Sequence, residues 1–245
     1  MINYLFYLHN VYTYLFINLF AILIPFIVSF DRRNYFYARW NYLFPAIIIT
    51  GVIFILWDML YTRMGIWGFN SRYLTGIYVV NLPLEEILFF LTIPFACVFT
   101  YDTLNYLIKR DFFGKVSGLI SFSLVIILVI VAVFNINKLY TSVTFLLTAA
   151  FILYHEMILK SSWIGRFYFS YMILLIPFFI INGLLTGYFI EEEVVWYDNS
   201  QNLSIRIFTI PVEDFVYGLL LIMMNVTLFE YFKKSRIYNK IIRVR

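Results

Sequence analysis

Seven long apolar runs, nearly free of charge, follow one another along this chain and leave it few folds to adopt. About 20 consecutive apolar residues carry a helix across the hydrocarbon of a bilayer. Read against the polar, Pro and Gly residues between them, the runs fall near Tyr4–Val28, Asn41–Tyr61, Pro83–Ile108, Ser117–Phe134, Leu139–Leu159, Phe167–Phe189 and Ile210–Phe232. They are continuous rather than alternating, which predicts helices and argues against a barrel. The fourth, apolar from Gly118 to Phe134, is the shortest. Composition agrees: 63% of the 245 residues are hydrophobic and only 13% charged, where a soluble domain has about a quarter charged. Too few charged groups remain to cover a watery surface. The expected fold is an all-α membrane protein with about seven transmembrane helices.

Lys and Arg collect on the cytoplasmic side of a membrane protein. All but four of the 18 fall in alternate connections and the tail, leaving only Arg63, Arg72, Lys138 and Arg206 on the other side. The amino terminus is therefore expected outside and the carboxyl terminus in the cytoplasm, with the chain in the cell (inner) membrane. The net charge of +4 is read as this topology signal and not as a nucleic-acid footprint. With no basic segment before it, the first run reads as a permanent helix rather than a signal peptide. Cys97, the single cysteine, forms no intrachain disulfide and reads as a small packing residue.

The chain also repeats itself. Asn81-Leu-Pro-Leu-Glu-Glu86 precedes the third run, and Thr209-Ile-Pro-Val-Glu-Asp214 precedes the seventh. Superimposing the two prolines aligns Phe89 with Tyr217 and Phe90 with Gly218. Asp58 and Thr62 close the second run, and Asn182 and Thr186 close the sixth with the same four-residue step. An aromatic-rich loop follows each, Gly65-Ile-Trp-Gly-Phe69 and Val194-Val-Trp-Tyr197. The expected organisation is a three-helix repeat over residues 1–110, a connector helix over 111–136, and a second repeat in the same orientation over 137–245. Parallel repeats place a shared site at their interface.

Pro83 and Pro211 suit the first turn of a helix, where a missing N–H costs nothing. The acids behind them then fall near the third and fourth helical positions. Helix capping explains one acid per helix. It explains less well Glu85 with Glu86 and Glu213 with Asp214, repeated at the mouth of hydrocarbon, where ionisable groups are expensive and mark function. Four converging carboxyls cannot all ionise cheaply, so an acid and a base become available in one cavity. Trp67, Phe69, Phe89, Phe90, Trp196, Tyr197 and Tyr217 surround them. Such rings belong at a membrane interface in any case, and their faces also stabilise cations. A carboxylic acid beside a dry aromatic box suits protonation of an alkene drawn from the bilayer.

The two segments Pro83-Leu-Glu-Glu-Ile-Leu-Phe89 and Pro211-Val-Glu-Asp-Phe-Val-Tyr217 resemble the paired signatures of the membrane-integral lycopene cyclases. The likeness is to the fused form of a family that also occurs as two small subunits. Asp58, Trp67 and the segments Asn182–Gly187 and Val194–Tyr197 fit the same pattern, whereas Glu191–Glu193 does not and reads as a solvated loop. The resemblance implies redox-neutral closure of the linear ends of lycopene into beta-ionone rings. It implies catalytic roles for Glu85, Glu86, Glu213 and Asp214. It implies a lining for the substrate of Asp58, Trp67, Phe69, Phe89, Phe90, Asn182, Trp196, Tyr197 and Tyr217. The implied partners are the lipophilic carotenoid, membrane lipid and other enzymes of the carotenoid pathway.

No cofactor is expected. The Gly-rich fingerprint of a flavin fold is missing from the chain, and the His155-Glu156 pair and His9 lie too far apart in sequence to make a metal set. Two rival readings stay open at this point. A proton-coupled transporter also carries repeats and intramembrane acids, but its acids step through the bilayer instead of clustering at one edge. A non-catalytic carotenoid-binding protein would survive loss of the carboxylates.

Overall fold

The computed structural model describes residues 11–243, with side chains through residue 235. The start of the first apolar run, His9 and Arg245 lie outside the described residues, as do the side chains of the last basic residues of the tail.

Among the described residues seven α-helices follow in chain order: α1 (Thr13–Val28), α2 (Trp40–Met64), α3 (Leu84–Leu107), α4 (Ser117–Phe134), α5 (Leu139–Leu153), α6 (Ile164–Leu185) and α7 (Val212–Arg243). A π-helical turn, Tyr154–Leu159, extends α5. All but α1 are long and apolar enough to cross a membrane, and the described part of α1 is apolar over 16 residues. The protein is a multi-pass, all-α membrane protein. Its outer surface is made for lipid: α4 exposes Leu119, Ile126 and Phe134, and α1 exposes Phe20 and Ile24. Water would not tolerate so continuous an apolar coat.

The helices fall into two similar halves. α1 packs along α3, and α5 packs along α7 in the same way. Before α3, strands β2 (Tyr78–Val79) and β3 (Leu82–Pro83) form a small hairpin. The corresponding hairpin before α7 pairs Arg206–Ile207 with Ile210–Pro211 in the same register. Val80 (φ 61°) and Phe208 (φ 57°) occupy matching left-handed positions at the two turns. Leu84 N–H donates to Ile77 O at 2.8 Å, and Val212 N–H donates to Ile205 O at 3.1 Å. Strand β1 (Trp67–Phe69) meets Val195–Tyr197 antiparallel, pairing Trp67 with Tyr197, Gly68 with Trp196 and Phe69 with Val195. Gly68 and Trp196 are separated by the same sequence offset as Pro83 and Pro211. The pseudo-two-fold axis therefore passes between them, as expected for repeats of like orientation.

Three expectations need correction. Pro83 is the extended residue before the first turn of α3 (φ −65°, ψ 147°), not part of that turn, because it is committed to the β2–β3 hairpin. Glu85 and Glu86 thus stand second and third in their helix. The sixth helix ends at Leu185 and not at Phe189. Tyr188 N–H donates to Gly183 O at 2.7 Å, Gly187 adopts φ 94°, and Val194 N–H returns to Leu185 O at 2.8 Å. Those bonds fold the chain back on its own helix end. The seventh helix starts at Val212 and runs well past Phe232 into the basic tail, where Lys233 reaches back to Asp102 (3.5 Å) and Glu230 (3.6 Å).

At the end of the bundle away from the hairpins, Gly165 in the first turn of α6 abuts the 113–114 backbone. A Cβ there would lie 2.6 Å from Gly114 N, against main chain that cannot rotate aside. Overpacking of this kind costs about 1–3 kcal/mol. Gly165→Val is expected to lower the temperature at which the detergent-solubilised protein loses its monodisperse chromatographic peak, while Gly118→Val, which meets open space, leaves it unchanged.

Candidate active site

The hairpin end of the bundle brings together carboxyls from three helices. Glu86 sits in the first turn of α3, and its Oε2 accepts a hydrogen bond from the Tyr14 hydroxyl on α1. Asp214 holds the matching place on α7 and accepts from Tyr140 of α5 at 2.6 Å and from Tyr197 at 2.9 Å, one phenol on each oxygen. Asp58, near the end of α2, accepts from the Trp67 indole N–H and from the Thr62 hydroxyl on one oxygen. Its other oxygen, Oδ2, is buried and accepts no N–H or hydroxyl among the described residues, and the Glu86 carboxyl lies within hydrogen-bonding reach of Asp58. All three carboxyls are buried, at 1% exposure for Asp58, 8% for Glu86 and 4% for Asp214. Glu86 lies close enough to the other two to interact with both electrostatically.

These acids line one end of a cavity of about 370 Å³, within the range of small-molecule sites. The cavity runs between α1, α3, α6 and α7 from Asp58, Glu86 and Asp214 to Ala96, Cys97 and Thr100. From Glu86 to Thr100 is about 21 Å of helix at ~1.5 Å per residue, so the space is a long slot. Its wall is almost wholly apolar, and no Lys, Arg or His among the described residues lines it. Around the acids stand Trp67, Phe69, Phe89, Tyr140, Tyr197 and Tyr217. Trp67 meets Tyr140 edge-on at 5.0 Å, Tyr140 stacks on Tyr197 at 5.8 Å, and Tyr217 meets the Trp57 ring at 5.2 Å. Burial, with the neighbouring Asp214 charge, pushes the Tyr197 phenol above its ordinary range and keeps it a hydrogen-bond donor.

Of the four acids in the two motifs, Glu86 and Asp214 enter the cavity and Glu85 and Glu213 turn away. Adjacent residues of a helix point about 100° apart and do not face one target. Glu85 Oε1 instead accepts the Thr75 backbone N–H at 2.7 Å. Glu213 Oε1 accepts the Leu203 N–H at 2.7 Å and the Thr141 hydroxyl at 2.6 Å. Each ties the loop before its helix to the helix start, by equivalent bonds in the two halves. The expected convergence of four carboxyls is thus a convergence of three, with Asp58 joining Glu86 and Asp214.

Phe89, Phe69, Asn182, Trp67, Tyr197 and Tyr217 all line the cavity. Phe90 does not; it packs into the core with Phe54 and Leu220. Trp196 also stands outside, 40% exposed, because its strand neighbours take the inward positions and its ring covers Gly68. Glu191 and Glu192 are exposed, as expected of a solvated loop, and they pair with Arg72 across the two halves. His155 lies away from the cavity, its Nδ1 2.7 Å from Ser161 Oγ and its Nε2 2.9 Å from Thr227 Oγ1. Reading the sequence missed Tyr14 and Tyr140. A signal was there: both open the first helix of a repeat at matching positions, and both donate to the second acid of the motif.

Fold and site together define a multi-pass membrane protein that holds acid groups inside a hydrocarbon-lined slot. The family model described as lycopene cyclase matches residues 11–104 and again residues 137–232, and the chain belongs to that family. Among curated proteins and among solved structures, none matches the chain.

Proposed function

We propose that the protein is a lycopene beta-cyclase, closing linear ends of lycopene into beta-ionone rings as an isomerisation with no net redox change. The observation that carries this reading is the placement of three carboxyls, two of them from the repeated motif, at the aromatic end of an apolar slot that no basic group among the described residues lines. Membership of the lycopene cyclase family supports it. Two carboxyls in mutual contact share one proton more readily than they carry two charges. In this reading the Glu86–Asp58 pair holds the proton, and Glu86 delivers it to the terminal double bond of the substrate. A C–H bond forms and the neighbouring carbon becomes cationic. The next alkene attacks that carbon, a C–C bond closes the six-membered ring, and the charge moves into the ring. Asp214, whose carboxylate form the two phenol donors favour, removes a ring proton and restores a double bond. Proton return from Asp214 to Glu86 then resets the site. The faces of Trp67, Phe89 and Tyr217 shield the cation, an interaction strongest where water is excluded.

The substrate in this proposal is a carotenoid drawn from the bilayer, and other enzymes of the carotenoid pathway supply and consume it. The membrane is the inner cell membrane, with the amino terminus outside and the carboxyl terminus in the cytoplasm. Expression in a lycopene-accumulating host tests the reading. Ring-bearing carotenes should appear in the pigment extract. Unchanged lycopene beside membrane-inserted, well-expressed protein would sink it.

Trp67 offers a finer check. Trp67→Phe keeps an aromatic ring but removes the indole N–H that donates to Asp58. A hydrogen bond to a charged group contributes about 1.5–3 kcal/mol. Cyclisation is therefore expected to slow roughly tenfold to a hundredfold, read as the initial rate of ring formation in isolated membranes.

A further inference from the structure

We infer that each chain holds one ring-closing site and that a two-ended polyene is closed one end per visit, leaving the slot between closures. The inference rests on the cyclase reading above and concerns how that site is used.

Two similar halves invite the expectation of two similar sites. The structure spends both motif acids on one: Glu86 from the first half and Asp214 from the second line the same cavity. The pseudo-two-fold counterpart of the cavity is filled. In the first half α2 lies along both α3 and α7, and Phe54, Phe90 and Leu220 close the seam within a buried cluster. In the second half α6 lies along α3 but its backbone stands away from α7. Side chains of α6 bridge that gap, with the Phe178 ring 4.8 Å from Phe215 and the Tyr171 hydroxyl donating to Phe215 O at 2.5 Å. The slot is the space that α6 leaves by standing off. The broken symmetry therefore makes one site where an intact pair of halves would make two or none.

The shape of the slot then limits each visit. Its acids are confined to one end, and its far end is Ala96, Cys97 and Thr100. It opens at the edge between α1 and α6, where Phe20, Ile24 and Ile180 line the cavity and are also 60%, 65% and 51% exposed on the lipid face. A rigid polyene seated with one end at Glu86 holds its other end down the slot or out in the bilayer. A rigid polyene longer than the slot has no room to turn end for end inside it. The second end reaches the acids only after the first has withdrawn through the α1–α6 edge.

Isolated membranes carrying the full chain test this. They are given isotope-labelled lycopene in excess, together with unlabelled monocyclic carotene. Monocyclic product should lead, and the bicyclic product should lose label in proportion to the unlabelled share of the monocyclic pool. Monocyclic product alone, with no bicyclic product from either source, also fits one end per visit. Fully labelled bicyclic carotene from the earliest times, untouched by the added pool, would overturn the inference and show both ends closed in one visit. Lycopene unchanged throughout would instead sink the cyclase reading beneath it, and the two failures are told apart by whether any ring forms.

Discussion

Glu86→Gln and Asp214→Asn each reduce ring formation by roughly 10²–10⁴-fold, the contribution typical of a positioned general acid or base, whereas Glu85→Gln and Glu213→Gln stay within a few-fold of the parent. Both acids of each motif are buried, so burial does not separate them. Their targets do. Glu86 and Asp214 face the slot, while Glu85 and Glu213 accept backbone N–H groups from Thr75 and Leu203. An amide oxygen accepts an N–H as a carboxylate does, so Gln preserves that tie. It cannot donate or take up a proton in the cyclisation. The measurement is product per unit of membrane-inserted protein for all four variants. Equal losses at both acids of a motif would contradict the division of labour read from the geometry.

The second large effect is expected at the phenols of Asp214. Tyr140→Phe and Tyr197→Phe each remove one donor from a carboxylate that has two. At about 1.5–3 kcal/mol for a hydrogen bond to a charged group, each single variant should lose roughly tenfold to a hundredfold in rate. The double variant leaves Asp214 ionised with no partner in an apolar wall, or protonated and useless as a base, and should fall to the level of Asp214→Asn. Combining Tyr140→Phe and Tyr197→Phe with Asp214→Asn supplies the control. If the phenols act through Asp214, adding them to Asp214→Asn costs nothing further. Additive losses would show that they serve the substrate directly.

Much of this was legible in the sequence because lipid imposes simple rules. Spans, repeat and paired acids follow from apolar length and from two short motifs, and the structure brings Trp67, Phe89, Tyr197 and Tyr217 to the acids. The direction of each carboxyl was not legible, since it turns on one residue of helical phase. That phase is set by whether the proline opens the helix or ends a hairpin. From sequence Asp58 reads only as a lining residue, because its nearness to Glu86 depends on how tightly α2 seats on α3, a tertiary matter. Tyr14 and Tyr140 went unremarked among 21 tyrosines, most of which serve packing or the membrane interface.

At the pseudo-two-fold axis Gly68 meets Trp196, and a Cβ on Gly68 would overlap the indole. A point on such an axis is where identical subunits must present the same residue to each other. Two copies of the first half would bring glycine to glycine and leave a hole; two copies of the second would bring tryptophan to tryptophan and clash. Knob and socket have been dealt to different halves. Whatever duplication produced them, neither half can now stand in for the other, and if the chain is severed within the connector helix α4, its pieces should reassociate only as an unlike pair.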